Sequence, residues 1–158
     1  MSAFDELKKH AEELREATGI NFQLLPEGSR IFILLKKVPL PSGLFRIKKT
    51  DVLYIADQQY PFSVMDMFWT EVDVVRPDGA IPSGAEAIEQ YLGCSWRRFS
   101  WHRNSIWNPA GNPLMDHYSF LRISGTGSIC PPTLFKFGLR AWFGKVVTLG
   151  CCGIGKPS

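Results

Sequence analysis

Four cysteines, Cys94, Cys130, Cys151 and Cys152, are the nucleophiles of most interest in this chain. A cysteine attacks as its thiolate, so a reactive one needs cations or a base close by. Cys94 has them in sequence: Arg97 and Arg98 follow it, and His102 lies between Arg98 and Arg103. His102 can act near neutral pH as a general base or orienting donor. Cys151 and Cys152 have no base beside them. A bland reading stays open for both key residues. Free cysteine is commonly a small buried apolar side chain, and a histidine in a long loop can simply hydrogen-bond that loop to a sheet. His10 falls on the first helix and His117 on the second, and both read as surface or core residues without chemistry.

The same stretch is rich in tryptophan. Trp96, Trp101 and Trp107 are three of five in the chain, and each indole is costly to leave in water, so most are expected to pack the segment down. Arg97, Arg98 and Arg103 can stack on these rings as cations. A basic-aromatic platform for single-stranded nucleic acid is the other use of such residues. The charge speaks against it: 18 Lys and Arg against 15 Asp and Glu leave only +3, too little to make a polyanion the expected partner. The three histidines are too scattered for a zinc site, and the cysteine spacing matches neither a disulfide framework nor paired zinc knuckles. No metal and no cofactor is expected, and a reducing, cytoplasmic setting is.

The elements that must position these residues can be read next. With 158 residues and 45% apolar composition, one core is the economical reading. The N-terminus carries Ser2, Phe4, Asp5 and Glu6 instead of a basic and then apolar segment, so no secretory signal is expected. No apolar run approaches the roughly 18 residues that cross a bilayer, so no membrane partner is expected. Residues 2–18 place Phe4, Leu7, Ala11 and Leu14 at helical spacing, with Ser2 and Asp5 as a capping pair and Gly19 as the stop. Strands follow at 21–25, 31–38, 51–55 and 67–70, bounded by turn residues. A helix followed by a four-strand antiparallel meander means α+β, because no helix separates the strands for a parallel crossover. Residues 75–111 read as a long loop with a short helical candidate at 85–92, and a loop of that length is usually functional or wrapped over a core. Leu114, Tyr118 and Leu121 predict a second helix over 113–123. The segment 124–158 interleaves Gly, Pro, aromatic and cationic residues without a period. Its stretch 131–150 is expected to cover the core as a last helix or strand, with a membrane- or partner-facing surface as the alternative.

Tyr60-Pro61-Phe62-Ser63-Val64-Met65-Asp66-Met67-Phe68-Trp69-Thr70 resembles the YPFxPPxVxFxT segment of ubiquitin-conjugating (E2) enzymes. The order of elements resembles theirs too. Proline there presets the backbone and cannot donate to a ladder, so it ends pairing at the sheet margin. Trp96-Arg97-Arg98-Phe99-Ser100-Trp101-His102 followed by Trp107-Asn108-Pro109-Ala110-Gly111-Asn112 is similar to the WxRxSxH…WxPGxD segment of a prokaryotic E2 group. Ala110 intervenes before Gly111, and Trp101 stands where that pattern has arginine.

The resemblance covers about 35–123 and implies an E2-type fold over 1–123. It implies a role in a bacterial ubiquitin-like conjugation pathway, with a ubiquitin-like protein and an E1-like activating enzyme as partners and a JAB-type protease as a further one from the same operon. An E2 carries the modifier as a thioester on a cysteine between the Tyr-Pro strand and the Trp-x-Pro segment, and Cys94 is the cysteine there. His102 and Asp78 would assist it, with Trp96, Arg97, Arg98 and Trp107 as binding residues and Tyr60, Pro61 and Pro109 as structural ones. Arg76-Pro77-Asp78 stands where the family has His-Pro-Asn, and an ionised Asp78 lacks the amide donor an oxyanion needs. A catalytically inactive adaptor is therefore the alternative.

Overall fold

The protein is described by a computed structural model covering residues 1–101 and 106–124. His102 and the segment from 125 on, with Cys130, Cys151 and Cys152, lie outside the described residues. Helix α1 spans Ala3–Thr18 and helix α2 spans Pro113–Ser124. Between them lie β1 (Phe22–Glu27), β2 (Arg30–Pro39), β3 (Lys49–Asp57), β4 (Phe68–Glu71), β5 (Ile88–Tyr91) and β6 (Cys94–Phe99). They form one sheet in the order β1-β2-β3-β4-β6-β5, antiparallel throughout.

Local chemistry explains the boundaries. Ser2 and Asp5 close the expected capping box, and Gly19, at φ 74°, ends α1 by donating its N–H to the Arg15 carbonyl. Left-handed backbone of this kind favours glycine. Asn112 caps α2, accepting from the Met115 N–H at 2.9 Å, and Pro113 takes the first helical position, where its missing N–H costs nothing.

The four expected strands are present, and the sheet has two more. The helical candidate at 85–92 is instead strand β5, and the loop expected over 75–111 contains the β5–β6 hairpin. Ile-Glu-Gln-Tyr is too short a run to close a stable helix turn alone, and its pairing with β6, Tyr91 opposite Cys94 and Ile88 opposite Arg97, decides the conformation. Two residues connect the strands, Leu92 at φ 54° and Gly93 at φ 73°, the doubly positive pattern of a tight hairpin turn.

The sheet has two buried faces. On one, Leu7, Ala11 and Leu14 of α1 and Leu114, Tyr118 and Leu121 of α2 pack with Ile31, Ile33, Leu35, Val52, Tyr54, Phe68 and Phe99. On the other, Phe32, Leu34, Leu53, Trp69 and Trp96 cluster, with Tyr91 against them. Tyr91 and Phe32 are four strand positions apart, roughly 19 Å in a flat sheet. Their ring centroids nonetheless lie at 5.6 Å, so the sheet curls and brings the hairpin tip over this second face.

Candidate functional site

Cys94 is the first residue of β6, directly across from Tyr91 beside the hairpin turn. Side chains alternate along a strand, so Cys94, Trp96 and Arg98 share one face of β6. Arg98 pairs with Trp69 and Trp96 with Glu89, which places Cys94 on the second face, away from the helices. Its thiol is free and exposed. It rims the aromatic cluster without being buried in it.

The arginines that follow Cys94 in sequence are engaged with other partners. Arg97 points to the helix face and is buried. Its Nε and Nη2 both donate to the Val72 carbonyl, at 3.1 and 2.9 Å, and its Nη1 donates to the Ala85 carbonyl at 2.8 Å. The segment between β4 and β5 thus wraps around one guanidinium, whose planar fork suits converging carbonyls. Arg98 donates to Glu89 Oε1 at 2.5 Å and to Ser100 Oγ at 3.2 Å.

Asp78 sits in an exposed turn. It pairs with Arg76 at 3.3 Å and accepts the Ala80 N–H at 3.0 Å. The turn is closed by Arg76 N–H to the Ala80 carbonyl. Gly79, at φ 84°, has the Arg46 guanidinium where a Cβ would stand, at 3.1 Å.

The tryptophans pack the chain. Trp96 is buried, donating to the Tyr91 carbonyl at 2.9 Å. Trp101 donates to the Ser83 carbonyl at 2.7 Å and covers Gly84, where a Cβ would come within 3.2 Å of the indole. Trp107 donates to the Pro61 carbonyl at 2.6 Å, so the Trp-x-Pro segment is fastened to the Tyr-Pro turn. The Tyr60-Pro61 peptide is cis. Pro109 lies in a turn held by Asn108, whose Oδ1 accepts from Ala110 and whose carbonyl accepts from Gly111. Phe62, 77% exposed, and Val64 project from the loop after the Tyr-Pro turn.

Tyr60 is buried and ties the Tyr-Pro turn to α1: its hydroxyl meets His10 Nδ1 at 2.7 Å. His10 Nε2 lies 3.3 Å from Glu6, and Asn112 Nδ2 donates to the His10 carbonyl at 3.1 Å. Burial pushes the Tyr60 phenol well above its ordinary range and holds His10 below the ordinary histidine value. An imidazole neutral with its proton on Nε2 would accept from Tyr60 and donate to Glu6. His10 is thus a core residue, one of the two placements its sequence position allows, and Asn112 carries no signal of its bond to α1 in sequence. Glu89 carries none either, because its partners Trp69 and Arg98 lie on other strands.

Among the described residues, no group of three or more His, Cys, Asp or Glu side chains gathers to hold a metal, and no helix is long and apolar enough to cross a membrane. A leading helix, an antiparallel meander, a Tyr-Pro turn fastened to a Trp-x-Pro segment and a following helix define a ubiquitin-conjugating-enzyme-like domain. The chain belongs to prokaryotic E2 family E, whose family model matches residues 7–124. No curated protein and no solved structure matches it. Membership assigns the chain an E2-like role in a conjugation pathway.

Proposed function

We propose that this protein carries a ubiquitin-like modifier as a thioester on Cys94 in a bacterial conjugation pathway, receiving it from an E1-like activating enzyme. The observation that carries the reading is the free, exposed thiol of Cys94 at a hairpin tip, between the Tyr-Pro strand and the Trp-x-Pro segment. The Cys94 thiolate attacks the thioester carbonyl on the activating enzyme. A new carbon–sulfur bond forms as the old one breaks, and the activating enzyme's cysteine leaves as thiolate. An acceptor amine then attacks the carbonyl, the carbon–nitrogen bond replaces the carbon–sulfur bond, the amine's proton passes to a base, and Cys94 is regenerated. His102 is the base this reading assigns, with Asp78 assisting. A JAB-type protease is the further partner it implies.

One observation favours a second reading, an E2-like adaptor that binds the modifier or the activating enzyme without carrying it. Arg97 and Arg98, the cations nearest Cys94 in sequence, are spent on carbonyls, Glu89 and Ser100. Incubation with an E1-like activating enzyme, a ubiquitin-like modifier and ATP separates the two. The carrier gives an adduct that thiols cleave by acyl exchange and that Cys94→Ser abolishes. No adduct on the wild type, or a thiol-labile one persisting in Cys94→Ser, contradicts it.

A further inference from the structure

The hairpin that bears Cys94 is fastened through one carboxylate. Glu89 of β5 accepts hydrogen bonds from side chains on three strands: Trp69 Nε1 of β4 at 2.9 Å, Tyr91 Oη of β5 at 3.0 Å and Arg98 Nη1 of β6 at 2.5 Å. An ionised carboxylate has acceptor sites for all three, and hydrogen bonds to a charge are the stronger kind. Tyr91 is the residue across from Cys94, and its ring leans on Trp69 and Phe32, each at 5.6 Å between centroids. The carboxylate thus joins the body of the sheet to the strand pair that ends at the thiol. β6 is paired with β4 only as far as Trp96. Beyond that register the tip is held by the Trp96 hydrogen bond to the Tyr91 carbonyl, the Gln90–Ser95 side-chain bond and the Glu89 carboxylate, with Leu92 and Cys94 exposed.

We infer that Glu89 is a positioning residue for the Cys94 thiol: its carboxylate clamps the β5–β6 tip onto the second face of the sheet and fixes where the thiol meets an incoming thioester. The inference rests on Cys94 being the carrier. Burial alone would raise the Glu89 carboxyl, but the Trp69 and Tyr91 hydrogen bonds and the Arg98 guanidinium outweigh it and hold the group below the ordinary glutamate value of 4.5. The clamp is therefore closed above that value and opens as acid protonates the carboxylate. The other charged or titratable groups acting there are Arg98, Tyr91 and Arg30 of β2.

The test uses the full chain, with Glu89→Gln and the milder Tyr91→Phe, and reads amide hydrogen exchange alongside the rate of adduct formation on Cys94. In Glu89→Gln the amides of 88–99 exchange about ten-fold faster, the loss expected for one charge-assisted hydrogen bond, while α1 and β2 change less than about two-fold. Adduct formation slows by about five-fold or more at saturating activating enzyme, with KM for that enzyme unchanged, since the effect lies in positioning and not in binding. Tyr91→Phe moves both readouts the same way and less. Exchange of the wild-type hairpin, corrected for intrinsic rates, accelerates in acid, and Glu89→Gln removes that acceleration. Unchanged hairpin exchange, an acceleration shared equally by α1 and β2, or a loosened hairpin with an unchanged adduct rate overturns the inference. A wild type that forms no adduct instead overturns the carrier reading on which it rests, so the two failures are told apart.

Discussion

The residue most exposed to a simple energetic test is Arg97. A buried guanidinium without a carboxylate partner is tolerated here because two backbone carbonyls, Val72 and Ala85, take its donors. Removing it leaves both carbonyls short of a partner inside the fold and opens a cavity where the stem lay. Arg97→Ala is expected to lower unfolding free energy by about 2–4 kcal/mol in a urea titration. Arg97→Lys, a point charge that cannot fork to both carbonyls, should lose about 1–2 kcal/mol. A loss below about 0.5 kcal/mol for the alanine variant, the range of an ordinary surface substitution, would contradict the bracing role. Reactivity at Cys94 is a separate matter, because Arg97 turns toward the helices while the thiol faces the other way.

At the scale of elements, two features carry predictions. Leu92 occupies left-handed backbone in the hairpin turn, a conformation that costs a branched side chain roughly 1–2 kcal/mol and that asparagine or glycine adopts readily. Leu92→Asn should raise stability by about 0.5–1 kcal/mol, read as a higher urea midpoint at unchanged slope. The second feature is His10, which ties α1 to the Tyr-Pro turn and α2. Its folded pKa is depressed by burial, so the unfolded chain binds the extra proton first. Stability is then fully present above the unfolded value of 6.5 and falls as pH drops toward the folded pKa. In His10→Gln, urea titrations at about pH 7.5 and about pH 5 should differ less than in the wild type, since Gln carries no titrating ring. An equal or larger difference would contradict the assignment. These elements also mark what the sequence made legible. Helix α1 announced itself through period and caps, and β1 to β4 through apolar runs between turn residues. The β5–β6 hairpin did not, since 85–92 also reads as a short helix and the turn's only local mark is Gly93 before Cys94. Its conformation is set by pairing with β4 and by rings that meet across the curled sheet, which no single segment encodes. The site was legible to the same degree: Cys94 and the motif residues are found in sequence, whereas the engagement of Arg97 and Arg98 and the role of Glu89 depend on strand register.

For the whole molecule, the described fold gives the chain a helix-covered face and an aromatic face, with the candidate thiol on the aromatic side. The helix face ties α1, the Tyr-Pro turn and α2 together through Tyr60, His10 and Asn112, a brace that keeps the family's scaffold intact whether or not the thiol reacts. Scaffold and chemistry are thus separable, which is why membership in prokaryotic E2 family E sets the role in outline and leaves the carrier step to experiment. The measurement that bears on it most directly is mass spectrometric mapping of the modifier's C-terminus after incubation with activating enzyme, modifier and ATP. The account predicts a thiol-labile linkage on the peptide containing Cys94 and on none of those containing Cys130, Cys151 or Cys152. A linkage mapped to one of those three, or no linkage at any cysteine of the wild-type chain, would contradict it.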